Sequence, residues 1–233
     1  MPNRSCFASA GACTSTSKGR DPHQREALEL ASQFAAAAFR VVTAPGESVV
    51  ISIGGRTAPM RTAPIDPMAL TNFVWIRASA LALITASRER LDPLLSVDPD
   101  DFTSEWDLPV HHAYHVALRA YLRGEPSRTA MNRALNAAED IRMNRPDFLG
   151  PFAVLLSQLV AGDREGLVAA LADALEEFRD HYSVGDRKDD STRQVHLGVL
   201  ALTCHARWDL GWEIPVNSAY LPTAILEAGP RDR

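Results

Sequence analysis

Two junctions in the chain are built alike. Tyr121-Leu-Arg-Gly124-Glu125 and Leu159-Val-Ala-Gly162-Asp163 each close an apolar run with glycine, place an acid next and lead into an amphipathic stretch. Glycine accepts the left-handed backbone that ends a helix, and an acid suits the start of the next one. The two glycines lie 38 residues apart (162 − 124). A weaker copy without the glycine, Leu83-Ile-Thr-Ala-Ser87, stands a similar distance upstream. Two helices in every repeat of roughly 30–45 residues point to stacked helical hairpins of the solenoid kind. Short connections make successive helices antiparallel neighbours. A stack of this kind offers a flat or concave surface to a partner.

The rest of the chain fits an all-α reading. Asp21-Pro22 opens a first helix, with Gln24 placed to reach back to the cap, and Thr43-Ala-Pro-Gly46 ends it. In it, Ala35 and Ala38 leave room for a close backbone. Ser48–Ile53 is short and β-branched, and Gly54-Gly55 then Arg56–Met60 make it a small hairpin near 48–60, its second arm weakened by Pro59 and Pro64. Asp66-Pro67 repeats the first start signal and predicts a helix whose stripe is Leu70, Phe73/Val74, Arg77, Leu81 and Ile84. Ser87 caps a shorter helix carrying Leu91, Leu94 and Leu95. Further helices are expected over 109–123, 127–143, 152–160, 163–182 and 191–209, and the segment from Trp212 packs back on the body. Residues 1–20 are polar and lack the apolar core of a signal peptide, so they read as a flexible tail. Residues 21–227 read as one helical domain, and 228–233 as a second tail.

Composition removes several chemistries. Of 24 basic residues only Lys18 and Lys188 are lysine, one in a polar tail and one in a charged loop; neither suits a Schiff base, and no phosphate-loop motif occurs. With alanine at about 15%, the arginine bias suggests a GC-rich bacterial genome. A net charge of −5 argues against a nucleic-acid partner. No apolar run reaches the ~18 residues of a membrane span. Three cysteines, Cys6, Cys13 and Cys204, make no disulfide framework and imply a reducing cytoplasm, with Cys204 in the core. No G-x-S-x-G elbow occurs.

The densest polar cluster is His111-His112-Ala-Tyr114-His115. His111 and His115 at i, i+4, or His112 and His115 at i, i+3, share a helical face and suit a metal or acid–base chemistry. H-E-x-x-H is absent, and a third ligand would come from His196, His205 or Asp209. As helix N-terminal residues, the same histidines fit better as partly exposed or hydrogen-bonded members of the stack. Asp98, Asp100, Asp101, Glu105 and Asp107 lack the spacing of a calcium loop; they read as a solvated loop with caps, or as a patch facing a basic partner. Arg77, inside an apolar stripe, is either at its edge, paired with a carboxylate, or holding an anion. Trp75, Trp106, Trp208 and Trp212 read as core or seam fillers.

From Cys204 the chain runs Cys-His-Ala-Arg-Trp-Asp209-Leu-Gly211-Trp-Glu-Ile-Pro-Val216-Asn-Ser218-Ala-Tyr220-Leu-Pro222. This resembles the end of the immunity protein 49 family, where an Asp-x-Gly turn closes a helix and an I-x-V-x-S-x-Y-L-P-type segment follows. The hairpin 156–182 and the region 61–95 fit in pattern, so the resemblance covers about residues 25–227. It implies an all-α protein of a bacterial polymorphic-toxin locus that neutralises a cognate toxin by binding. It implies no catalytic residue, metal or cofactor. A Ser/Thr-rich tail stands where the family has a leading helix.

The leading expectation is therefore a non-catalytic cytoplasmic binder of a toxin or another protein subunit. Its partner-facing acids would be Asp98, Asp100, Asp101, Glu105, Asp107, Asp186, Asp189 and Asp190. The alternative is an enzyme or enzyme subunit of specialised metabolism, possibly heteromeric. It would perform group transfer or ring closure on a small polar metabolite, with His111, His112, His115, Arg77 and Asp209 around the substrate.

Overall fold

The computed structural model describes residues 22–102, 107–144, 150–185 and 195–229. The tail at 1–20 and the cap Asp21 lie outside those residues, as do Glu105, Trp106, Asp186, Lys188, Asp189 and Asp190.

Helix α1 (Pro22–Thr43) turns Ser32, Ala36 and Phe39 into the core. Strands β1 (Ser48–Ile53) and β2 (Arg56–Arg61) pair antiparallel from Ile53–Arg56 out to Ser48–Arg61. Gly54 and Gly55, with φ of +58° and +76°, make the two-residue turn. Pro59 stands opposite Val50, three pairs from the turn-flanking Ile53–Arg56 pair. Alternation of the ladder makes that site non-hydrogen-bonded, so the missing N–H costs nothing there. The hairpin rests on α1: Ile51 is buried, and the Gly54 N–H donates to Gln33 Oε1 at 2.7 Å.

Helices α2 (Asn72–Ile84) and α3 (Arg88–Ser96) follow, then a 3-10 turn at Pro99–Asp101. Next come α4 (Pro109–Leu122), α5 (Arg128–Asn144), α6 (Gly150–Ala161) and α7 (Arg164–Tyr182). Helices α8 (Leu197–Trp208) and α9 (Thr223–Ala228) end the described chain. Helices α4 to α8 each pack on their sequential neighbour, as antiparallel hairpins should.

The stack also closes on itself. Helix α2 packs on α4 and α8, and α6 packs on the same two, so α2, α4, α6 and α8 form an inner ring. All four run in one direction. Asn72 at the start of α2 meets His115 in α4. Phe152 at the start of α6 meets Tyr114 in α4 and His196 at the start of α8. At the other end, Tyr121 of α4 meets His205 of α8. Helices α5 and α7 return outside the ring. An open solenoid joins sequential neighbours only. Here α2 and α8 are apolar round most of their girth: Val199–Cys204 is buried without a break, and α2 buries nine of its 13 residues. Two such helices must cover each other.

Two expected boundaries move. Asp66 does not start α2; its Oδ1 accepts the Met68 N–H at 3.0 Å in a turn, and the helix begins at Asn72, capped by Thr71 accepting the Val74 N–H at 3.2 Å. The last long helix, expected from 191, is α8, which begins at Leu197, where His196 Nδ1 accepts the Val199 N–H at 3.2 Å. In both cases a side-chain acceptor nearer the apolar run satisfies the first amides. Ser87 takes the N-cap position of α3 without a side-chain cap bond. The C-terminal segment does pack back: Leu221 and Leu226 are buried, and Trp208 Nε1 donates to Leu226 O at 3.0 Å.

Candidate functional site

The starts of α2 and α4 lie side by side, and Asp107 joins them. Its carboxylate, 6% exposed, accepts the Asn72 N–H at 2.8 Å with one oxygen. The other lies 3.0 Å from His111 Nδ1. A carboxylate at two helix N-termini complements both dipoles. One step inward, Asn72 Oδ1 meets His115 Nδ1 at 2.6 Å. His115 is fully buried and stacked on Trp75 with ring centroids 3.6 Å apart. Its Nε2 is buried without a hydrogen-bond partner among the described residues. Burial pushes its pKa down to about 2, with the Arg119 and His112 charges acting the same way, so the ring is neutral.

His111 is buried and His112 half-buried, and both contact residues that are exposed. The His111 ring lies 5.1 Å from that of Phe73, and the Arg77 guanidinium carbon sits over the Phe73 ring, 5.7 Å from its centroid. Phe73 is 41% exposed, so it leaves the core stripe in which sequence spacing placed it. Arg77 is at the stripe's edge, exposed. His112 Nε2 lies 2.9 Å from Asp100 Oδ1 in the 3-10 turn, whose cap Asp98 accepts the Asp100 N–H at 3.0 Å. The result is one surface: Asp98, Asp100 and Asp101, then His112 and His111, then Phe73 under Arg77. An exposed aromatic beside fixed charges is the composition of an interface anchor.

Asp209 is elsewhere. Tyr121 follows His111 by ten residues on α4, about 15 Å along the axis. There the Tyr121 hydroxyl meets His205 Nε2 at 3.1 Å, and His205 Nδ1 meets Asp209 Oδ2 at 2.8 Å. A hollow of about 430 Å³ opens beside them, among the C-terminal ends of α2, α4 and α8. Burial, then the Asp209 charge, pushes the Tyr121 phenol up to about 12. The phenol therefore keeps its proton and donates to His205, whose Nδ1–H donates to Asp209. A phenol held protonated is a poor nucleophile, and the chain of bonds ties α4 to α8.

The five residues of the enzyme alternative thus do not converge: Arg77 is exposed and His112 half-buried, His111 is buried beside Phe73, His115 is in the core, and Asp209 is at the far end of α4. Among the described residues no group of three or more metal-ligating side chains comes together. His196 caps α8, and the Cys204 thiol is buried, which pushes its pKa up. Of the expected acids, Asp98, Asp100 and Asp101 are exposed in the 3-10 turn and its cap, while the Asp107 carboxylate is nearly buried; the others lie outside the described residues. Sequence reasoning missed Asn72, the Phe73–Arg77 pair and the Tyr121–His205 link. Only the second had a local signal, an aromatic four residues before a charge.

No helix of the described residues is long and apolar enough to cross a membrane. A family model described as Immunity protein 49 matches residues 18–225, most of the chain. No curated protein and no solved structure matches it.

Proposed function

The chain belongs to the immunity protein 49 family, and on that premise we propose that it neutralises a cognate toxin of a bacterial polymorphic-toxin system by binding it in a cytoplasmic protein complex. The observation that carries the site is Phe73, exposed and in contact with His111 and Arg77, with the Asp98–Asp101 turn held to the same helix as His111 through His112. Fixed carboxylates next to an aromatic anchor suit a basic surface on the toxin. The acids steer the encounter and the aromatic supplies desolvated contact. Glu105, Asp186, Asp189 and Asp190 are partner-facing acids in the same proposal. Asp107 serves it indirectly, by holding His111. In this reading the binding uses no cofactor, and the partner is a protein, neither nucleic acid nor membrane.

The test begins with a tagged copy used to capture its partner from lysate of the source organism. The expected partner stops growth when expressed alone and permits growth when co-expressed with this chain. Phe73→Ala should weaken the purified complex by at least about tenfold, as loss of an anchor does. A partner whose toxicity this chain does not relieve would end the proposal.

A further inference from the structure

Helix α6 lies between α5 and α7 and packs on both, yet the two outer helices leave part of it open. Val154, halfway along α6, is 41% exposed. Over it is a groove of about 610 Å³. Its floor is apolar: Leu135 and Ala138 from α5, Val154 from α6, Ala170 and Ala174 from α7. The alanines keep the floor low enough for another helix to seat at the 8–10 Å spacing of packed helices. Its rims are acidic on both sides, with Glu139 on α5 and Asp173 and Glu177 on α7, all exposed. No basic side chain among the described residues lines it.

We propose that this groove docks a basic amphipathic helical segment of a partner protein. An apolar floor between two carboxylate rims matches a helix that presents leucine-type residues downward at i, i+3, i+4 and i+7 and lysine or arginine to either side. The same rims repel a phosphate backbone or an anionic lipid surface. The groove shares no residue with the Phe73 face, and the proposal does not rest on the toxin reading.

The probe is a fluorescently labelled Leu/Lys peptide of about 18 residues, about 27 Å long as a helix, with leucines at helical spacing. The control is its scrambled isomer of equal charge. Anisotropy titrations use the full chain. The amphipathic peptide should bind saturably, and the isomer at least about tenfold more weakly. Val154→Asp should weaken binding about tenfold, and Asp173→Asn with Glu177→Gln should weaken it similarly and flatten its salt dependence. Phe73→Ala should leave it unchanged. The Asn/Gln pair is isosteric and on the exposed side of α7, so it retains the fold if Val154→Asp does not. Equal binding by the isomer, absence of saturable binding, or unchanged affinity in the Asn/Gln pair would overturn the proposal.

Discussion

Ala86 carries a backbone that belongs to glycine. Its φ is +49°, the one positive value outside glycine among the described residues. It closes α2 through Ala86 N–H to Leu83 O at 3.1 Å and Ser87 N–H to Ala82 O at 3.1 Å. Gly124 closes α4 and Gly162 closes α6 with the same pair of bonds, at φ of +70° in each. A side chain in this conformation costs about 1–2 kcal/mol, offset in part by the extra freedom glycine has when unfolded. Ala86→Gly should therefore stabilise the fold by about 0.5–1 kcal/mol. Gly124→Ala, where an added Cβ meets nothing within 4 Å, should cost about 1 kcal/mol. Urea midpoints of both variants check this. His115 and His196 set a pH dependence. Burial holds their pKa at about 2 and about 4, against 6.5 when exposed. The unfolded chain binds those protons first, so the stability they contribute is full above pH 6.5 and is lost as pH falls through 6.5 toward 4. With both in play the slope is on the order of 3 kcal/mol per pH unit. His196→Asn keeps a capping acceptor and should halve the histidine contribution, read from urea unfolding between pH 6.5 and 5.

At the scale of elements, the molecule is held by ties between helix ends. Asp107 serves the first amide of α2 and a histidine of α4 with one carboxylate. Removing it leaves a buried N–H and a nearly buried imidazole without their acceptor. Asp107→Ala should cost about 2–3 kcal/mol, within the range for hydrogen bonds to a charged group. The opposite tie, Tyr121 to His205 to Asp209, is partly exposed, so Tyr121→Phe should cost only about 1 kcal/mol. If the two costs came out equal in denaturant titrations, the asymmetry argued from burial would be wrong. The hairpin is a lighter element: Ile51 is its buried side chain, and every residue of β2 is exposed.

At the scale of the molecule, closure of the inner ring makes the ends of the chain interdependent. Helix α8 covers α2, and Arg25 of α1 donates to Gly229 O at 2.8 Å, joining residues 204 positions apart. In an open stack, damage to the last hairpin would leave the first intact. Here Leu202→Ala, at a site 1% exposed in α8, should cost about 2–5 kcal/mol. It should lower hydrogen-exchange protection in α2 as much as in α8. Protection lost in α8 alone would mean that the ring does not act as a unit.

The sequence by itself determined the helices, their order and the hairpin, because those are local matters. Apolar spacing, glycine at a helix end and Gly54-Gly55 at a turn act within a few residues. It also determined the family, through the segment from Cys204 to Pro222 and the match over most of the chain. The junction repeat was legible for the same reason, since Ala86, Gly124 and Gly162 stand at equal steps of 38 (124 − 86 and 162 − 124). What only the tertiary structure decided was which face each helix shows to which neighbour. Helical spacing put Phe73 in a core stripe and His115 on one helical face with His111 or His112. Packing of α2 against α4 and α8 turned Phe73 out and His115 in, because an all-apolar helix has no preferred face until its neighbours choose one. The surface around Phe73, the Tyr121–His205–Asp209 tie and the groove over α6 all depend on residues far apart in sequence. No spacing rule along the chain reports contacts of that kind.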